Sequence, residues 1–140
     1  TKYNDLSVAK FINYIMESGK KGVAEKIFYG AMELVRKKTK SDGIKIFKKG
    51  IENTSPSVEV KSRRIGGATY QVPIEVPKKR AFYLASLWII NASKNSSGRP
   101  MSEKLASELI AAANGDGNAI KKKEDTHRMA DANKAFAHFR

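Results

Sequence analysis

The chain has 140 residues, 41% of them hydrophobic, no cysteine, and 27 Lys and Arg against 14 Asp and Glu, for a formal net charge of +13. That length bounds the protein to one ordinary domain with a real core, residues 1–140, and the absence of cysteine rules out disulfides and thiolate metal sites. The charge excess opposes compaction by self-repulsion and points to a polyanionic partner, either nucleic acid or an anionic membrane. The longest apolar run, Leu87-Trp88-Ile89-Ile90, is too short to span a bilayer, and no signal-peptide pattern opens the chain. A start at Thr1 rather than Met is consistent with a trimmed leader or arm.

Val8, Phe11, Ile12 and Ile15 repeat at helical spacing and predict an amphipathic first helix, broken by Ser18-Gly19. A second helix is predicted from about Lys21 to Lys38, burying Ala24, Ile27, Phe28, Ala31, Leu34 and Val35. Ser41-Asp42-Gly43 offers a cap for a third, Ile44 to about Asn53. Two β-type runs follow, in VEVKSRRIGGATYQVPIEV, Val58 to Val76. A fourth helix spans about Lys79 to Ser93, carrying Phe82, Leu84, Ala85, Trp88 and Ile89 inward. Ser102 with Glu103 begins a fifth, stopped by the left-handed signal Asn114-Gly115, and a sixth runs from about Lys121 to Phe139. The predicted fold is mainly α: six helices around one core with a protruding two-stranded β-hairpin arm.

A helix start carries partial positive charge, so basic residues there are locally unfavourable. Gly19-Lys20-Lys21, Lys78-Lys79-Arg80 and Lys121-Lys122-Lys123 nevertheless stand at three predicted starts. Free amides at a helix start bind anions, phosphate above all, and the three clusters read together as phosphate contacts. Exposed lysines that merely solubilise are the plain alternative for any one cluster. On the sixth helix, Met129, Ala132, Phe136 and Phe139 fall on one side as a core face, while Lys123, His127, Lys134 and His138 form a basic stripe on another. The two histidines are eleven residues apart, roughly 16 Å along a helix, so they cannot share a metal ion.

In the hairpin, Val58 and Val60 alternate with Glu59 and Lys61, and Val72, Ile74 and Val76 alternate with Gln71, Pro73 and Glu75. This predicts one apolar face packed on the helices, Pro73 at an edge position, and a tip carrying Lys61, Arg63 and Arg64. Gly66-Gly67 supplies the backbone freedom for a turn or a close ligand approach. Tyr70 is placed either to stack on an unpaired base or to pack on Ile65 or a valine. A lone charged ribbon is marginal by itself and reads as an arm that orders on nucleic acid. No phosphate-binding loop, nucleophile elbow or paired carboxylates appear, so no catalytic residue, metal, cofactor or small-molecule substrate is expected.

Three blocks carry a resemblance over essentially the whole chain: KFINYIMESGKKGVAEKIFYGA (Lys10 to Ala31), the ribbon stretch above, and AIKKKEDTHRMADANKAFAHFR (Ala119 to Arg140). Together they resemble the bacterial-type small-subunit ribosomal protein S seven family. The resemblance implies a structural, non-enzymatic ribosome constituent that binds the small-subunit ribosomal RNA and organises the head, or three-prime major, domain. It also implies a place near the exit site for tRNA and mRNA beside protein S eleven, in a cytoplasmic or an organellar ribosome. RNA-binding positions carried over are Lys20, Lys21, Lys61, Arg63, Arg64, Gly66, Gly67, Lys78, Lys79, Arg80, Lys121, Lys122 and Lys123; the residues themselves add Tyr70, His127 and Lys134. The chain departs from the family pattern in keeping almost none of the basic N-terminal arm, in having Leu87 where arginine is usual, and in lacking a tryptophan after Arg140. The competing reading from another class is an architectural DNA-binding protein, since basic ribbons on helical bodies also grip DNA grooves.

Overall fold

The computed structural model describes residues 5–139; the Thr1-Lys2-Tyr3 remnant of the expected arm and Arg140 lie outside the described residues. The six expected helices are α1 (Leu6–Ile15), α2 (Lys21–Thr39), α3 (Gly43–Thr54), α4 (Lys78–Asn95), α5 (Met101–Ala113) and α6 (Asn118–Ala132). The antiparallel ribbon β1 (Val58–Ile65) and β2 (Ala68–Glu75) lies between α3 and α4, and a short 3-10 helix, Lys134–Phe139, follows α6. None of the helices is long and apolar enough to cross a membrane, among the described residues.

Phe11, Phe28 and Phe47, one each from α1, α2 and α3, are fully buried and meet with ring centroids 4.9–5.8 Å apart in edge-on or tilted contact. Around them pack Val8, Ile12, Val35, Ile89, Leu105 and Leu109. Two helix starts are closed by side chains: Asp5 accepts from the Ser7 amide at 2.9 Å, and Asp42, as expected, accepts from the Ile44 amide at 3.1 Å. Gly43, beside that cap, lets α2 come close, since a Cβ there would sit 2.7 Å from the Met32 carbonyl oxygen. α5 starts at Met101 behind Pro100, one residue before the expected Ser102. It stops as expected, with Gly115 at φ +75° and the Asp116 amide donating back to the Ala111 carbonyl at 2.8 Å. The Asn53 side-chain amide reaches across from α3 to donate to the Ala112 and Ala113 carbonyls, 3.0 Å each. Phe82 and Trp88, expected inside, are only half-buried at the core's margin.

The sixth helix differs from expectation. It ends at Ala132, and Asn133 leaves helical geometry with φ −106° and ψ 15°. Its side chain donates to the Met129 carbonyl at 2.8 Å. In the tighter 3-10 winding that follows, residues three apart lie one above the other. Phe136 and Phe139 therefore present themselves together to Tyr70 of β2, with centroids at 5.2 and 4.9 Å. The expected core face is accordingly wrong. Met129 is 52% exposed and Ala132 is exposed, while Ala119, Ile120 and Ala130 hold α6 to the core. The basic stripe is not continuous on one helix either, because Lys134 and His138 sit beyond the break.

The ribbon also departs from its expected single apolar face. Gly66 and Gly67, at φ +58° and +85°, form a two-residue turn that pairs Ile65 with Ala68. That register sets Val58 opposite Glu75, Val60 opposite Pro73 and Lys61 opposite Val72. Residues directly opposite share a face, so Val58 and Val60 lie on one side and Val72 and Ile74 on the other. Glu59, expected on the polar side, is 8% exposed and shares the side of fully buried Val72. Pro73 lies on an edge strand of the two-stranded ribbon, as expected, and is buried opposite Val60.

Candidate nucleic-acid interface

The ribbon has two parts. Its base is tied to two helices, α4 and α6. Arg80, in the first turn of α4, donates from Nε and Nη2 to the two carboxylate oxygens of Glu59, at 2.7 and 3.1 Å. That bond raises the Arg80 pKa further above its ordinary value. From α6, His127 Nε2 accepts the Ser57 amide at 3.1 Å, and Lys123 Nζ donates to the Asn53 carbonyl at 2.8 Å. Burial, and secondarily the Lys123 charge, pushes the His127 pKa below its ordinary value, which keeps Nε2 free to accept. The other part, Lys61 through Thr69, is exposed throughout. Lys61, Arg63 and Arg64 project there with no ion pair among the described residues.

Alternation divides the tip cations. Lys61 and Arg63 stand on the side of Tyr70, which is directly opposite Arg63, and Arg64 on the side of Ser62 and Gln71. Tyr70 is half-buried against Phe136 and Phe139, a packing partner different from the Ile65 or valine expected. Gly66 and Gly67 have open space around their missing side chains, so the turn's positive φ is their structural requirement.

The three basic helix starts are not equivalent. α2, with Lys20 as its cap residue, and α4, entered through Pro77, have no side-chain cap and no acid in the first turn. Lys20, Lys21, Lys78 and Lys79 are exposed beside those amides. α6 begins at Asn118, so Lys121-Lys122-Lys123 stands one turn inside and does not open the helix. Its start already has an anion, as the Ala119 amide donates to Glu108 Oε2 of α5 at 3.1 Å. Gly117, at φ +96°, leaves the space that carboxylate needs: a Cβ there would sit 2.7 Å from Glu108 Oε2.

The α4 start adjoins the ribbon base through Arg80 and Glu59, which joins Lys78 and Lys79 to the ribbon's cations. Lys20 and Lys21 lie elsewhere. Glu17, just before them, pairs with Lys94 near the far end of α4 at 2.8 Å, roughly 24 Å along the helix from Lys78. Lys122 also lies toward that end, beside Trp88, Asn91 and Asn95, while Lys134 is exposed at the start of the 3-10 helix. Sequence reasoning missed the outward stripe Leu6, Lys10, Tyr14 on α1, spaced four residues apart, which borders the α4 start together with Phe82. Its signal was the same helical periodicity that picked out the buried face.

The family model for ribosomal protein S7p/S5e matches residues 1–134. Small ribosomal subunit protein uS7 of Thermotoga petrophila is 58% identical over 138 residues, covering 99% of this chain and 89% of the relative. The proteins of that name from Gemmatimonas aurantiaca and Anaeromyxobacter are 57% and 58% identical over 139 residues, with the same shares covered. At such identity across nearly the full length, the chain belongs to the ribosomal protein S7p/S5e family.

Proposed function

We propose that the chain is a structural constituent of the small ribosomal subunit that binds the subunit's ribosomal RNA and organises its three-prime major domain. The observation that carries the reading is the contrast within the ribbon. Its base is fixed by Arg80 and His127, while its tip holds Lys61, Arg63 and Arg64 in solvent with no carboxylate paired to them among the described residues. Lys78 and Lys79, at an uncapped helix start beside that base, extend the same surface. Phosphates are the ligand that exposed cations and free helix amides recognise in common. Lys20, Lys21 and Lys122 supply further cations toward the far end of α4. The same reading sets the chain near the exit site, with tRNA, mRNA and protein S eleven as neighbours, a placing supported by the family resemblance.

The test is affinity for a three-prime major domain junction RNA against random duplex DNA at fixed salt. Tighter RNA binding, with log K falling by about 0.7–0.9 per phosphate neutralised as log salt rises, is expected. Replacing Arg63 and Arg64 with glutamate weakens it. Tighter DNA binding, or a flat salt response, overturns the proposal.

A further inference from the structure

The short link from α3 to the ribbon, residues 55–57, is gripped at both ends by α6. Lys123 Nζ donates to the carbonyl of Asn53 on one side of the link, and His127 Nε2 accepts the amide of Ser57 at the other. The two side chains are four residues apart, about 6 Å along the helix, so consecutive turns of α6 take the two ends. Ser57 also accepts the Val76 amide through its carbonyl at 3.0 Å, which ties the exit of β2 to the entry of β1. The bond to Ser57 depends on a proton count. An imidazole that accepts at Nε2 carries its proton on Nδ1; a second proton, on Nε2, faces the Ser57 N–H donor against donor, one turn from the Lys123 cation.

We propose that His127 is a pH-dependent latch: its neutral imidazole positions the ribbon on α6, and its protonation releases the ribbon base and weakens the ribbon's grip on RNA. Charges on the elements packed against α6 are engaged elsewhere or turned away. Glu59 of β1 and Arg80 of α4 hold each other, Glu108 of α5 accepts the Ala119 amide, Glu52 of α3 pairs with Lys49, and Glu75 of β2 stands on the ribbon's other side from Glu59. Glu124 and Asp131 of α6, and Lys134 and His138 of the 3-10 helix, are exposed to solvent. Burial and then the Lys123 charge disfavour the protonated form while the latch is closed. The latch is therefore closed above the ordinary 6.5 and opens as pH falls through the lower folded value. A released imidazole titrating at 6.5 makes opening at most about 30-fold more favourable at pH 5 than at pH 8. The sign opposes plain electrostatics, since an added cation by itself tightens binding to RNA. Release of the ribbon base stands on the free protein; its effect on RNA rests on the RNA-binding reading.

The test uses the full chain. Amide exchange at Ser57 and Val76, corrected for the intrinsic pH dependence of exchange, reads the opening directly. Protection in the parent is expected to fall by up to about 30-fold from pH 8 to pH 5. His127→Gln, whose side-chain oxygen can accept the same amide without titrating, should hold protection constant. His127→Lys, a donor-only cation, should leave it low throughout, with thermal unfolding at pH 7 confirming that the helical core is intact. Affinity for the three-prime major domain RNA is then compared at pH 7 and pH 5 at fixed salt. The parent should lose affinity relative to His127→Gln, in proportion to the fall in its closed fraction. Protection that is independent of pH in the parent, or that falls equally in His127→Gln, overturns the latch. A parent that opens yet binds RNA with the pH profile of His127→Gln overturns the ribbon's control of binding. A parent that opens as expected but ignores RNA at every pH supports the latch and sinks only the RNA reading.

Discussion

Replacing Arg80 with methionine removes the fork that holds Glu59 while keeping much of the side chain's apolar stem. Glu59 is 8% exposed, so the carboxylate left behind has little water and no cation to satisfy it. Breaking a fully buried pair costs about 3–5 kcal/mol. Here the Arg80 side chain is 43% exposed, so solvent recovers part of that, and the expected loss is about 2 kcal/mol. For a domain of this size that is a fall in Tm of about 8 °C, at about 4 °C per kcal/mol. Faster amide exchange concentrated in β1 around Glu59 should accompany it, because the ribbon base is what comes loose. Adding Glu59→Gln removes the stranded charge and should return about half of the lost stability. The double variant then isolates RNA contact from anchoring: a salt slope still reduced by about 0.7–0.9 marks Arg80 as a phosphate contact, and a restored slope marks it as an anchor alone. A Tm for the single variant within about 2 °C of the parent, with β1 exchange unchanged, refutes the anchoring argument.

Four further outcomes follow from the described geometry. Thr54 is fully buried with no partner for its hydroxyl among the described residues, so Thr54→Val should stabilise the fold by about 1 kcal/mol in urea unfolding. Gly43→Ala drives a methyl to 2.7 Å from the Met32 carbonyl and should cost about 1–3 kcal/mol, with α2 and α3 amides exchanging faster. His127 contributes a pH dependence of definite sign. Its folded pKa lies below the ordinary 6.5, so its stabilisation is complete above that value and drains away as pH falls through the lower folded value; His127→Gln should flatten the unfolding profile between pH 7 and 5. Asp5, held at about 2 chiefly by Lys48 and then by Ser7, stays ionised over that window and does not blur the readout. Phe136→Ala with Phe139→Ala should free the 3-10 helix from Tyr70, seen as loss of amide protection in residues 134–139 with the Tm of the helical core little changed.

Helix number and order were legible because an apolar stripe at helical spacing is a local signal; α1 buries the expected residues, while α2 leaves Ile27 and Leu34 half-buried and buries Met32 as well. The ribbon's two sides were not read correctly, although the information was present. A two-residue Gly66-Gly67 turn forces even-numbered residues of β1 to face odd-numbered residues of β2, which separates the Val58–Val60 pair from Val72–Ile74. Alternation within each strand was visible; the parity set by the turn had to be counted across it. Two other features are tertiary and leave no local trace. Nothing around Asn118 announces that Glu108, eleven residues before Ala119, caps α6, and the break at Asn133 makes sense only once Tyr70 is there to receive Phe136 and Phe139. On charge, the sequence showed where cations are abundant without showing which ones the protein itself uses.

That last distinction decides how the ribbon can act. Lys123, His127 and Arg80 look in sequence like the cations at the tip, yet each makes a bond to Asn53, Ser57 or Glu59. If the whole ribbon had to order on RNA, fixing some sixteen residues at about 1 kcal/mol or more of backbone entropy each would offset many phosphate contacts. Eight cross-strand pairs, a glycine turn with a defined register and three bonds at the base meet most of that cost during folding, before any ligand arrives. Cations spent at the base therefore make the free ones more effective: Arg63 and Arg64 are presented on opposite sides of a positioned strand, at most about 17 Å of β1 beyond the anchored Glu59. A binding surface of this kind gains affinity from rigidity as much as from charge, and for that reason its anchors belong to the functional site although they need never touch the ligand.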